Sequence, residues 1–538
     1  MDLDMLFTVL HSPKATTKIH AMSERFLRVL SANLIATVFA LSLSPALAAT
    51  YYVDPQSGND TNPGISKTAP WKSVPGMTGG SAWGAITSDK KVSAGTIIEI
   101  KAGAIFTGKR WVIDKTYYQS GTDTSPITVR VSPTWGSGNV VIDGRGAIVQ
   151  KWNGGIQVTD LSHIAITGVD AARRIEIKNY SAHANILHYA GNETARATGN
   201  QLSWFDCHHS SNYCVSNARQ DSLLYEDGIA HDSGAVEGGG KPINGTGVIM
   251  GDGDDATGDN NVVRHVISYN NGHGATTNDG SVSFGFQISA GVNTLFDSCE
   301  AYGNGRDGFD GGRVDNNGNA SMTFLNSSSH DNHEDGFGLS AGPTGNVTAI
   351  HINTIAVNNG QANWTIYDGA RIEIYHAIGV ASAANIHAFM SYANWPAPNV
   401  KIRNSYMGTI NGGRQIHYYN QAKNGYPAFD SDHNLWVPSA SNGDDFDDDG
   451  AASYITPPKW RGKHDKYGVT YKDATLSRVA DSARKPENAN RYFGIYLTSP
   501  LGVNIDRKGK ARPNPPTIGP FELGLRNSLT APTNLRAK

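Results

Sequence analysis

Residues 301–311 read AYGNGRDGFDG, and one repeat later residues 328–339 read SSHDNHEDGFGL. The same phrase is heard at 267–274 (ISYNNGHG) and 355–360 (IAVNNG). Each copy is a short apolar strand, an Asn-rich turn and, in the two full copies, Asp-Gly-Phe. A unit of two dozen residues cannot bury its own apolar face, so copies must stack on one another. The expected fold is therefore an all-β solenoid, a right-handed parallel β-helix with three faces.

Other short β-branched runs fit the same reading: 96–100 (TIIEI), 127–131 (ITVRV), 140–142, 164–166 and 175–177, each broken by Gly, Asn, Asp or Pro. Phe286, Phe309 and Phe337 recur at steps of 23 and 28 residues and are expected to stack inside the bore. Asn271, Asn304, Asn332 and Asn359 occupy equivalent turns and are expected to form a ladder of side-chain amides.

Composition agrees. Of 538 residues, 60 are Gly and only 17% are charged, which suits many tight turns between short strands. The net charge of −3 and the lack of a basic run argue against nucleic acid as a partner. Cys207, Cys214 and Cys299 are too few for a disulfide framework and are expected to be small buried residues. No C-x-x-C…H pattern points to structural zinc.

Arg25 and Arg28 precede an apolar run at 29–43, and Ala46-Leu47-Ala48 resembles a cleavage site. Residues 1–48 therefore read as a signal peptide with an upstream extension, Met22 being a possible start. The run is too short to span a bilayer. Secretion or export to a periplasm is expected, with residues 49–455 forming the β-helix. Residues 456–538 are expected to supply an irregular C-terminal cap and tail, and the protein is expected to be a monomer.

Carboxylates crowd one stretch, and Asp279, Asp307 and Asp335 are spaced 28 apart in turn. Equivalent positions of successive coils lie about 5 Å apart, so this spacing predicts a vertical row. Like charges that close call for a cation or a raised pKa. Ca²⁺, which takes several carboxylate oxygens, is the expected cofactor, with Asp279, Asp307, Asp310 and Asp335 as ligands.

With those residues in view, the chain resembles the pectate-lyase-like superfamily of parallel β-helices, which act on extracellular polysaccharides. Residues 304–310 (NGRDGFD) are similar to the N-G-D-D-G-F-D loop of family-nine polysaccharide lyases, whose aspartates hold Ca²⁺. Asp307 and Asp310 match that loop, while Arg306 stands where the family has Asp. Residues 332–339 (NHEDGFGL) are similar to the phrase that supplies the family's lysine base, and Gly338 stands at the lysine position. The resemblance implies cleavage of a uronic-acid polymer by β-elimination.

That reaction needs a base for the C5 proton and positive charge for the developing enolate. Lys241 is the only lysine between Lys178 and Lys401. The candidates are Lys241, His330, His333 and Glu334 for proton transfer, and Arg306 for charge. Trp364, Tyr367, Tyr392 and Trp395 are candidate sugar-binding rings. An alternative is a glycoside hydrolase using two carboxyls: Gly253–Asp255 and Gly272–Gly274 are similar to phrases of polygalacturonases. A third reading is a non-catalytic glycan-binding β-helix or adhesin.

Overall fold

The computed structural model describes most of residues 49–437, the strands at 446–449 and 466–467, and parts of 497–516. Residues 1–48 and several loops, including 239–244, 252–257, 273–282 and 313–318, lie outside the described residues. The signal-peptide reading therefore lies outside them too.

Among the described residues, three long sheets, of 13, 13 and 12 strands, run side by side, and every pairing between their strands is parallel. The chain visits the first, second and third sheet in turn and then starts the next coil. This is a right-handed parallel β-helix. One coil shows the plan. Gly291–Asp297 lies in the first sheet, Glu300–Tyr302 in the second and Phe309–Gly311 in the third. The next coil repeats it with Asn319–Leu325, Ser328–His330 and Phe337–Ser340.

Local chemistry sets the corners. The bend from first to second sheet is a single left-handed residue: Asp227, His265, Ser298, Asn326, Asn353, His376 and Asn404 all have φ between 53° and 57°. Asn, Asp and His tolerate this region better than other side chains. The corner from second to third sheet opens the same way at Asp232, Asn270, Gly303, Asp331 and Asn358.

Behind those corner residues the amide ladder forms as its spacing predicts. Asn271 Nδ2 donates to Asn304 Oδ1 at 3.0 Å, Asn304 Nδ2 to Asn332 Oδ1 at 2.8 Å, and Asn332 Nδ2 to Asn359 Oδ1 at 2.9 Å. Each acceptor oxygen also takes the backbone N–H of the asparagine one coil earlier.

The bore is apolar. Phe286, Phe309 and Phe337 stack with centroids 4.6 and 4.8 Å apart, and Trp364 extends the column at 5.9 Å. Trp364 is thus fully buried, not a sugar-binding ring. A second column, Phe296, Phe324 and His351, meets the first edge to face. Burial holds His351 neutral, with its pKa pushed down to about 3. All three cysteines are free and buried.

Beyond residue 455, Lys466–Tyr467 adds a further strand to the second sheet against Leu435–Trp436. The described part of the C-terminal segment is irregular and packs against the side of the solenoid. Arg507 donates to the carbonyls of Ser327 and Asn353, and Arg512 to Asn353 Oδ1. Val503 packs with Ile352 and Tyr375. No helix of the described residues is long and apolar enough to cross a membrane.

Candidate functional site

The corner between the second and third sheets carries the predicted acidic residues. Its backbone continues the ladder. Arg306 N–H donates to Ser283 O, Glu334 N–H to Arg306 O, and Gln361 N–H to Glu334 O. Next to that row runs another, in which Gly285 N–H donates to Asp307 O and Gly308 N–H to Asp335 O. Phe309 pairs with both Phe286 and Phe337, so Phe284, Asp307, Asp335 and Ala362 occupy equivalent places.

The row therefore holds two carboxylates, with Phe284 where the 28-residue spacing placed Asp279. Asp307 follows Asn304 by three positions and Asp335 follows Asn332 by three, but Phe284 follows Asn271 by thirteen. Ten extra residues in that corner break the count, and Asp279 lies among residues 273–282, outside the described residues. Lys241, Asp252, Asp254, Asp255, His273 and Trp395 also lie outside them.

Asp307 and Asp335 are both buried. Asp307 Oδ1 accepts the N–H of Asp335 at 2.9 Å, and Asp335 Oδ1 accepts the N–H of Ala362 at 3.0 Å. The Tyr367 hydroxyl donates to Asp335 Oδ2 at 3.5 Å. Asp310 projects from the outer face of the third sheet, in register with Gly338. A Cβ at residue 338 would lie 3.3 Å from Asp307 Oδ2 and 3.8 Å from Asp310 Oδ1. The missing side chain thus leaves a space flanked by two carboxylate oxygens.

Burial, with the charges of Asp335 and Asp310 beside it, holds the Asp307 carboxyl well above the usual carboxylate range. Burial, with the Glu334 charge adding, pushes Asp335 up to about 7. Arg306 opposes both shifts. Its Nε donates to Glu334 Oε2 at 2.9 Å, and its guanidinium lies 5.3 Å from the Phe284 ring centroid. Arg306, Glu334, Asp307, Asp310 and Asp335 are thus brought together. The corner offers a carboxyl that carries a proton near neutral pH, a guanidinium, and two carboxylate oxygens beside Gly338.

His333 is exposed on the same corner, next to Glu334. His330 is not part of it. It lies on the second sheet, stacked 5.1 Å from Tyr302, with Nε2 3.1 Å from Glu300 Oε1 and Nδ1 2.8 Å from Asp331 Oδ2. Burial alone would lower its pKa, but the two carboxylates outweigh it and raise it to about 9. His330 is protonated at neutral pH, the wrong state for the base expected of it.

Sequence reading missed the column to which His330 belongs. His208, His231, Tyr269, Tyr302 and His330 stack along the outside of the second sheet with centroids 4.8–5.1 Å apart. Their steps of 23, 38, 33 and 28 residues show no period. The available signal is local: each ring immediately precedes the corner residue His209, Asp232, Asn270, Gly303 or Asp331, which has positive φ.

No family model matches the chain, and no curated protein matches it. Solved structures do. A pectate lyase, Pel9A, is 17% identical, with 88% of this chain and 96% of that chain covered and a TM-score of 0.39. A rhamnogalacturonan lyase is 16% identical over 69% and 84%, with a TM-score of 0.41. The A-module of the Azotobacter vinelandii mannuronan C-5 epimerase AlgE6 is 12% identical over 66% and 90%, with a TM-score of 0.40. The strand register defines the class by itself: a right-handed parallel β-helix with a buried carboxyl pair at one corner. That architecture is the one implied by the chain's resemblance to the pectate-lyase-like superfamily.

Proposed function

We propose that this chain is an exported enzyme that cleaves a uronic-acid polysaccharide by β-elimination at the corner built from Arg306, Asp307, Asp310 and Glu334. The observation that carries the reading is the space at Gly338, flanked by Asp307 Oδ2 and Asp310 Oδ1. An all-oxygen pair of this kind suits Ca²⁺, and Asp307 and Asp310 would hold it. A bound Ca²⁺ supplies positive charge to a uronate carboxylate and so favours loss of the C5 proton.

The chain's own groups do the rest. Arg306 adds fixed positive charge on the same corner. His333, exposed there, is the proposed proton acceptor in place of His330, whose proton is held by Glu300 and Asp331. Gly338 supplies no base, so the family's lysine has no counterpart at that position. A polymer laid along the solenoid axis would meet successive coils of this corner.

One observation favours hydrolysis as a second reading. A carboxyl with its pKa pushed up to about 7, as in Asp335, can act as a general acid, and Asp307 stands beside it.

The test is to treat a panel of acidic polysaccharides with the full chain, with and without a calcium chelator. Elimination makes a conjugated double bond that absorbs in the ultraviolet. Reducing ends without that absorbance would overturn the lyase reading in favour of hydrolysis. Binding without cleavage would overturn both. Activity that ignores chelator and survives Asp307→Asn would remove the cation from the proposal. An intact mass showing residues 1–48 retained on exported protein would overturn the signal-peptide reading.

A further inference from the structure

The column of rings on the second sheet contains one place where its chemistry changes. At His330 the pattern is Glu300, Tyr302, His330, Asp331. One imidazole lies between a carboxylate from the previous coil and a carboxylate from its own corner. At His231 the same pattern reads Asp206, His208, His231, Asp232, with Nε2 3.1 Å from Asp206 Oδ1 and Nδ1 2.6 Å from Asp232 Oδ2. The difference is at the neighbouring ring, where His208 replaces the tyrosine. That substitution puts a second imidazole beside the first, with centroids 4.9 Å apart and planes within 18°.

We propose that Asp206, His208 and His231 bind a divalent transition-metal ion of the zinc type. Each offers one ligand atom, and the three atoms all lie within 4.8 Å of one another. Two donors on a tetrahedral Zn²⁺ stand about 3.4 Å apart, since each bond is about 2.1 Å. Closing the set therefore takes side-chain movements of about 1 Å. Two imidazoles and one carboxylate suit zinc better than calcium, which prefers oxygen alone.

The surroundings are arranged as metal sites are. A ligating histidine usually gives its other ring N–H to a carboxylate or another acceptor, which fixes the tautomer and the ring plane. Asp232 takes that role for His231. His209 Nδ1, 2.6 Å from His208 Nδ1, takes it for His208 when the His208 nitrogen is the donor, leaving Nε2 with its lone pair free. That Nε2 lies 3.5 Å from Glu176 Oε1. Glu176 is itself held by Lys178 at 3.0 Å. All these groups are half-buried, so an ion has access from solvent. Their effect would be to cross-link the coils that contain Phe205–His208 and Ile229–His231.

Cysteine spacing carries no trace of this site, because its histidines lie on separate coils 23 residues apart. The site is separate from the corner at Asp307 and does not depend on the proposed cleavage.

The experiment uses the full chain, stripped with chelator, dialysed and titrated with Zn²⁺ by calorimetry. One equivalent is expected to bind and to raise the melting temperature. His208→Tyr recreates the arrangement found at Tyr302, so the stack and the fold are retained. It is expected to abolish that binding. Asp232→Asn is expected to weaken it by about 10–100-fold. His330→Phe, on the same column, is expected to leave it unchanged. The proposal is overturned if the wild-type chain binds no Zn²⁺, or if His208→Tyr, folded by circular dichroism, binds as the wild type does.

Discussion

Asp335 lies one coil beyond Asp307, and its backbone N–H is held by the Asp307 carboxylate at 2.9 Å. The two acids are thus joined by a hydrogen bond that favours ionised Asp307, while burial and mutual repulsion favour protonation. Burial wins at both residues.

The consequence for pH is a loss of stability on the alkaline side. The Asp335 carboxyl is raised from 3.8 to about 7, so the folded state binds more protons than the unfolded one between those values. Its contribution is full below about 4 and is lost as pH rises through 7. In chelator, the urea midpoint is expected to fall over that range. Asp335→Asn keeps an acceptor for Ala362 N–H and should flatten the fall. Asp335→Ala orphans that N–H and is expected to cost about 1–3 kcal/mol below pH 4, and less as pH rises through 7. A midpoint that rises between pH 4 and 7 in the wild type, with no difference in Asp335→Asn, would contradict this.

His330 works in the opposite half of the pH scale. Glu300 and Asp331 raise its pKa from 6.5 to about 9. Its stabilising charge is fully present below 6.5 and disappears as pH rises through 9. Thermal melts from pH 6 to 10 should show a decline that His330→Phe, which keeps a ring against Tyr302, makes shallower. NMR titration of the imidazole should give a value above that of free histidine.

The amide ladder can be tested at one rung. Asn332→Ala removes the oxygen that takes both the N–H and the Nδ2–H of Asn304. Each buried donor left without a partner costs about 1–3 kcal/mol, so a loss of roughly 2–6 kcal/mol is expected by denaturant unfolding. A change below 1 kcal/mol would mean that the ladder contributes little.

Arg306 lowers the pKa of both Asp307 and Asp335. Arg306→Gln is therefore expected to raise both, moving any activity that depends on either carboxyl to higher pH. The pH profile of kcat/KM measures this. Arg306→Lys keeps the charge and should recover part of the shift, though it loses the fixed Nε contact to Glu334.

Much of this architecture was readable in advance because it depends on which residue types recur, not on exact counting. The Phe286, Phe309, Phe337 column and the Asn271-to-Asn359 ladder repeat once per coil with only short variation between copies. Spacing alone cannot see ten residues inserted into one corner, and Asp279, expected in the row, lies outside the described residues. Phe284, aligned by its neighbouring Phe286, takes the place instead. The His208-to-His330 column was hidden for the same reason, since its steps vary from 23 to 38. Trp364 reads equally as core or surface until its strand is paired with Phe337. The gap at Gly338 is visible in sequence only as a missing lysine; that it leaves Asp307 and Asp310 facing one space takes coordinates.

The asparagine ladder gives this solenoid a way to change safely. Between Asn271 and Phe284 the corner takes up ten more residues than its neighbours do, yet the rungs on either side stay in register. Growth at that edge leaves the axial scaffold untouched. New walls for a different polymer can therefore be added at one coil without renegotiating the stability of the rest.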